Sequence, residues 1–399
     1  MSTASTPFHP LALLLCLAGL AHSAQAAPFT PTDDRQVLER VPVRAGNARA
    51  RELQALRAAV QREPRNADAA AQLAQRWIED ALAEGDPRYV GYAQAALAPW
   101  WTEPAPPPSV RVQRAVVQQY GHHFAEALAD LSAVTAAEPE NAQAWAWQAA
   151  IHMVRADYAA ARRACEGLAP LASLLTATAC EAYVDSLTGR AAQAASELGD
   201  ALGLADKDTS SEERVWALTR LAEIEERRGE FAVAEAAFRE ALTLNVADVY
   251  LLSAYADFLL DRGRAADVLA LLKDRGRADV LLLRLALAAQ AANDPRAAQW
   301  GSELSARFDA ARARGDRTHE KEESRFALAL RGDAPRALAL ARSNLDQDQR
   351  EPADARVLLE AALAARSREA ALPVLQWLDA NQVESVVLRS LAERVKALP

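Results

Sequence analysis

Small residues recur along this 399-residue chain at a nearly constant interval. Ala81, Ala115, Ala149, Ala182, Ala222, Ala256, Ala286, Arg325 and Leu359 are separated by 34, 34, 33, 40, 34, 30, 39 and 34 residues. A second series runs in parallel through Ala93, Ala127, Ala161, Ala194, Ala234, Val268, Ala298, Ala337 and Ala371. Between the two series fall turn formers: Gly85, Gly121, Gly189, Gly229, Gly263, Asn293 and Gly332. A period of about 34 residues made of helix, turn and helix specifies a stacked array, because each unit repeats one supersecondary element.

Residues 216–245 show why such units stack. Leu218, Leu221 and Ala222 share one face of a first helix, and Gly229 interrupts it with a residue that tolerates positive φ. Phe231, Ala234, Phe238 and Ala241 then recur at three- and four-residue steps along a second helix. Glu235 and Arg239 sit at i,i+4 on its outer face. Two helices this short cannot bury their apolar stripes alone. Abundant Ala, Leu and Arg favour helix throughout. The expected fold is all-α, a right-handed α-solenoid.

Here the chain resembles the tetratricopeptide repeat (TPR) family. Residues 218–246 match its motif through Leu218, Leu221, Ala222, Gly229, Phe231, Ala234, Phe238 and Ala241, and depart from it at Glu225 and Val246. Residues 142–168 match through Trp145, Ala149, Tyr158 and Ala161, and 111–139 through Ala115, Phe124, Ala127 and Pro139. The resemblance covers about residues 70–399 and weakens after Ala286. It implies about nine repeats over 48–399, with a leading helix at 48–63 and a capping helix at 386–397. Residues 27–47 are expected to form an extended lead-in. Three insertions break the period: a proline-rich connection (Ala98–Val110), a loop (Ala205–Arg214) ending in a Ser210/Glu213 capping box, and a lengthened second helix across Ser305–Arg325.

The first 26 residues contain no Asp, Glu, Lys or Arg, and Leu11–Ala21 is a short apolar run. Ala24-Gln25-Ala26 fits a small-x-small cleavage site, so 1–26 read as a signal peptide cut between Ala26 and Ala27. The expected location is the periplasm, with no membrane span after cleavage. Two cysteines then remain, Cys165 and Cys180, either as a disulfide or as two buried thiols. The resemblance places them on adjacent helices of neighbouring repeats, where a bridge would staple the two.

Net charge is −9, only four of 45 basic residues are lysine, and no basic cluster occurs, which argues against a nucleic-acid partner. No metal set is expected. His122-His123 is read as a turn corner, His319–Glu323 as a solvated charged face, and Asp346–Arg350 lacks the Gly and Glu of a calcium loop. No P-loop, dinucleotide or G-x-S-x-G fingerprint is present, and neither catalytic residues nor a cofactor is expected. Tryptophans 77, 145, 147, 216, 300 and 377 are expected mainly in the core, with Trp100-Trp101 partly exposed. The resemblance implies a concave groove lined by first helices, along which Thr176, Tyr183, Trp216, Thr219, Glu223, Tyr250, Ser253 and Asp257 fall. Glu223 and Asp257 would favour a basic ligand. The implied role is a non-enzymatic adaptor or scaffold that binds a protein or peptide. The alternative is the helical superstructure of a cell-envelope enzyme or assembly complex.

Overall fold

The structure, a computed structural model, describes residues 48–399. The expected signal peptide, its Ala26/Ala27 cleavage point and the lead-in lie outside the described residues. Two compact units divide the chain between Arg51 and Glu52; of the first, only residues 48–51 are described, and the second holds the repeats.

Twenty α-helices and two short 3-10 turns account for the regular structure, with no strand among the described residues. After α1 (Ala48–Arg62) come nine hairpins: α2 (Ala67–Glu84) with α3 (Arg88–Ala96), α4 (Pro108–Tyr120) with α5 (Phe124–Ala137), and α6 (Ala142–Val154) with α7 (Tyr158–Leu168). The next three are α8 (Leu174–Ser186) with α9 (Ala191–Leu204), α10 (Ser211–Arg228) with α11 (Phe231–Thr243), and α12 (Val249–Asp261) with α13 (Ala265–Leu271). The last three are α14 (Asp279–Ala291) with α15 (Arg296–Ala313), α16 (Glu320–Arg331) with α17 (Ala334–Asp346), and α18 (Pro352–Ala364) with α19 (Arg368–Ala380); α20 (Val386–Lys396) is the final helix.

Within each hairpin the two helices pack on one another, and successive first helices pack side by side except α6 and α8, which are joined through α7. The small residues are the contact points. Ala93, Ala115, Ala127, Ala161, Ala194, Ala222, Ala234, Ala256, Ala286, Ala337 and Ala371 are all fully buried. Each hairpin turn also contains one residue at positive φ: Gly85, His122, Ala156, Gly189, Gly229, Gly263, Asn293, Gly332 and Arg366. A left-handed residue reverses the chain in the shortest distance, and the four non-glycine cases carry a steric penalty for it. In the second hairpin that residue is His122 rather than Gly121.

Two positions in the small-residue series are displaced. In α15 the buried face is Gly301, Leu304, Phe308 and Ala311, and Ala298 is exposed. In α16 the close contact is made by Ser324, which is fully buried and donates its hydroxyl to the carbonyl of Ala337 at 2.7 Å. Arg325 is thereby turned one residue out of phase. The expected single long helix across Ser305–Arg325 is instead broken by a loop at residues 314–319, where Gly315 takes φ +73°. The charged run after it is not a solvated face: Glu322 and Glu323 are buried, and Glu323 pairs with Arg312 and Arg336. The tryptophan expectation is also corrected. Trp100 is buried, held by the chain turn at Ala98–Trp100, while Trp216 is 37% exposed and the other helix tryptophans are half-buried.

The stack does not remain an open arc. The turns of the early hairpins lie against inter-repeat loops of later ones. Gly85 approaches Val249 and Ala278 so closely that an added Cβ would lie 2.7 Å from Ala278 Cβ. His122 Nδ1 lies 3.2 Å from Gln347 Oε1, Arg155 pairs with Asp348 at 3.1 Å, and Arg350 N donates to Val154 O at 2.9 Å. Ala191 N donates to Glu384 Oε2 at 2.6 Å, and Val386 covers Gly229. One apolar cluster joins Tyr158, Leu168, Val184 and Leu187 to Leu358, Val374, Leu375, Leu378 and Leu388. The superhelix has completed a turn, and its C-terminal repeats rest on its own early ones.

Cys165 of α7 and Cys180 of α8 form a disulfide between neighbouring repeats, with Cα atoms 5.7 Å apart. The pair sits inside the same apolar cluster. Replacing both by serine is expected to lower the unfolding free energy by about 3 kcal/mol, the chain-entropy value for a loop of this length. Urea denaturation of the oxidised, reduced and double-serine proteins checks this: the last two should share a lowered midpoint.

Candidate ligand-binding lumen

First helices α8, α10, α12, α14, α16 and α18 face a common interior. Asp and Ser caps fix where several begin: Ser173 accepts from Thr176 N, Ser210 from Glu213 N at 3.1 Å, and Asp248 from Leu251 N at 2.9 Å. The Ser210 cap forms as expected, but the Glu213 carboxylate reaches sideways to α8, accepting from Thr176 Oγ1 at 2.5 Å. That bond ties two first helices together at the rim.

Beneath the rim, Arg220 lies between the rings of Tyr183 and Tyr250, its guanidinium carbon 4.7 and 4.6 Å from their centroids. It pairs with Glu223 at 3.0 Å, and the Tyr250 hydroxyl donates to Glu223 Oε1 at 2.5 Å. Asp257 accepts from Arg284 at 2.6 and 3.1 Å and from Arg325 at 2.6 Å. Opposite these, the Tyr183 hydroxyl donates to Glu351 Oε1 at 3.2 Å, and Lys321 lies 3.5 Å from Asp354. Asn344 and the Glu351 backbone N–H also donate to Asp354, which fixes the start of α18. Arg356 of α18 reaches Asp261 at 2.6 and 2.7 Å.

Of the groove residues expected from sequence, Thr176, Trp216 and Tyr250 stand at the rim, the last two 37% and 47% exposed. Tyr183, Glu223, Ser253 and Asp257 lie deeper and only partly accessible, and Ser253 Oγ is buried with no hydrogen-bond partner. Thr219 is 3% exposed and donates to the carbonyl of Val215 at 2.7 Å, so it does not face the interior. The two carboxylates read as free for a basic ligand are already paired with arginines. Sequence reasoning missed those partners, Arg220, Arg284 and Arg325, and the floor residues Lys321 and Glu351. Arg325 did give a signal: an arginine at a small-residue place means a changed helix face.

The electrostatics reflect this crowding. Burial raises the phenols of Tyr183 and Tyr250, although the Tyr250 ring is wetted on one face. Burial also raises the Glu351 carboxyl, against the pull of Lys321. Burial alone would raise Asp257, but Arg284 and Arg325 outweigh it and hold that carboxyl at about 2. Glu226, one turn further along α10, is pushed up to about 7 by burial and then by the charge of Asp261.

Hairpins with left-handed turns, alanine contacts and side-by-side first helices make the chain a TPR-like α-solenoid. No family model and no curated protein matches the sequence. Among solved structures it is similar to the human IFIT1 dimer with PPP-AAAA, at 14% identity over 87% of this chain and 95% of that one, with a TM-score of 0.45. A tetratricopeptide repeat protein from Parabacteroides merdae is 14% identical over 82% of this chain and 99% of that one, with a TM-score of 0.32. The TPR domain of P58(IPK) is 15% identical over 88% and 93%, with a TM-score of 0.22.

The folded Asp257 carboxyl titrates below an ordinary aspartate, so its ion pairs stabilise the protein above about pH 4 and are lost as pH falls through about 2. Asp257→Asn is expected to cost about 2 kcal/mol at pH 7. In denaturation series at several pH values, the gap between wild type and variant should close between pH 4 and pH 2.

Proposed function

We propose that the protein is a non-enzymatic adaptor of the cell envelope, exported to the periplasm, which holds a segment of a protein partner across the mouth of its lumen. The observation that carries the reading is the exposure of Trp216 and Tyr250 above an interior whose charges are already paired. Large aromatic rings left half-open at the edge of a concavity are the usual anchors of protein recognition. The C-terminal repeats fill the floor, which leaves the rim, with Thr176 between α8 and α10, as the contact surface. Tyr183, Glu223, Ser253 and Asp257 support it from below.

Two observations support the rest. The Asp257 carboxylate is committed to Arg284 and Arg325 rather than poised for proton transfer. The Cys165–Cys180 disulfide is compatible with an oxidising compartment, and no helix among the described residues is long and apolar enough to cross a membrane.

Affinity capture from periplasmic extract tests the reading. The Trp216→Ala variant should keep the wild-type melting temperature, because that ring is partly solvated, and should lose at least tenfold in recovery of the partner. Equal recovery of every captured protein by the two forms would overturn the proposal.

A further inference from the structure

The lumen already holds one cation-recognition site, filled by the chain itself. The Arg220 guanidinium lies between the rings of Tyr183 and Tyr250 and pairs with Glu223 at 3.0 Å. One helical turn towards the mouth, α10 sets out the same parts without a guanidinium. Trp216 is open to solvent, Tyr250 is partly open beside it, and Glu212 stands one turn before Trp216 on the same face of the helix. We propose that this rim position receives a basic side chain, arginine or lysine, from the partner's segment. The inference rests on the adaptor reading and names the chemistry of the segment that the adaptor would hold.

The rim is negative when the bases are counted with the acids. The loop into α10 and the first turn of that helix carry Asp206, Asp208, Glu212 and Glu213 against Lys207 and Arg214. Arg214 donates to the carbonyls of Ala205 and Asp206. Asp248 caps α12, while the start of α8 brings only hydroxyls, Ser173 and Thr176. Glu213 accepts from both of those, and Glu212 has no hydrogen bond or ion pair among the described residues. Deeper in the lumen, Arg220, Arg284, Lys321 and Arg325 each already face a carboxylate, so the interior does not offset the rim. The α10 macrodipole accounts for acids in the first turn, but not for a tryptophan left in water beside them.

A cation over the face of a tryptophan is attracted by the ring quadrupole, and a carboxylate one turn away meets the same charge from the side. Arginine suits the position best. Its guanidinium stacks flat and keeps its N–H groups free to donate, as Arg220 does one turn below. An acidic segment or a phosphate backbone would bring like charge to the rim. An uncharged apolar segment would cover Trp216 and leave Glu212 without a partner.

Selection of a random peptide library on the purified full chain tests the inference. Bound peptides should be enriched in arginine and lysine over the input. For the tightest binder, Glu212→Gln should weaken affinity about threefold and Trp216→Ala about tenfold. Both side chains are exposed, so both variants should keep the wild-type melting temperature. Changing the basic residue of that peptide to glutamine should cost less affinity in Glu212→Gln than in wild type, because the two charges act as a pair. Selection of peptides without basic residues, or an equal cost in the two proteins, would overturn the inference. If such peptides still depend on Trp216, the rim remains a docking surface and only its basic preference falls. A library that yields no binder also overturns the inference, and the capture experiment then decides the adaptor reading by itself.

Discussion

Everything in this fold depends on the close approach of two helices at an alanine. A hairpin of two helices of about 13 residues, such as α8 and α9, is too small to exclude water from its apolar stripes. Fully buried alanines on both helices let their backbones approach, and the wider side chains above and below then reach the next hairpin. The unit so formed is stable only in company. That is why much of the core lies in clusters shared by neighbouring hairpins rather than in a single centre, the cluster at the closure being the exception.

Repetition of one unit with a fixed rotation bends the array, and with nine units the bend is long enough to return on itself. The returning surface is the row of hairpin turns, and turns are poor apolar surfaces. The chain meets them with backbone bonds and short side chains: Val154 O to Arg350 N, Ala191 N to Glu384, and Gly85 against Ala278. The last hairpins differ in composition from the middle ones for the same reason. Leu358, Val374 and Leu375 have to satisfy both their own hairpin and the early repeats beneath them.

The repeat was legible because it is local. Residue spacing within about 34 positions fixes helix, turn and helix, and the cysteines on α7 and α8 belong to adjacent units, so their nearness was legible although the choice between a bridge and two thiols was not. Closure was not legible, because its pairs join residues such as Tyr183 and Glu351, 168 positions apart, and no periodic pattern encodes them. The same limit explains the groove. Mapping one hairpin at a time gave Glu223 and Asp257 as free carboxylates, whereas Arg325 arrives on Asp257 from a helix 68 residues further on. Where the phase slipped by one residue, at Ser324 and Arg325, the cause was the loop at 314–319, whose Gly315 breaks a stretch that reads as continuous helix.

The lumen charges then acquire a role beyond holding the fold together. Buried ion pairs contribute little net stability, because desolvation offsets most of the attraction. They are demanding about geometry, however, since a missed pair leaves a bare charge inside. Leucines on α18 could slide against α8 with small loss, but Arg356 meets both carboxylate oxygens of Asp261 in one register only. A sandwich of Arg220 between two tyrosines is similarly intolerant of displacement. The apolar seam therefore supplies adhesion and the polar seam supplies position. With position fixed from below, Tyr250 is braced on one side by Arg220 and Glu223 and stays open on the other beside Trp216, which is what a surface meant for another molecule requires.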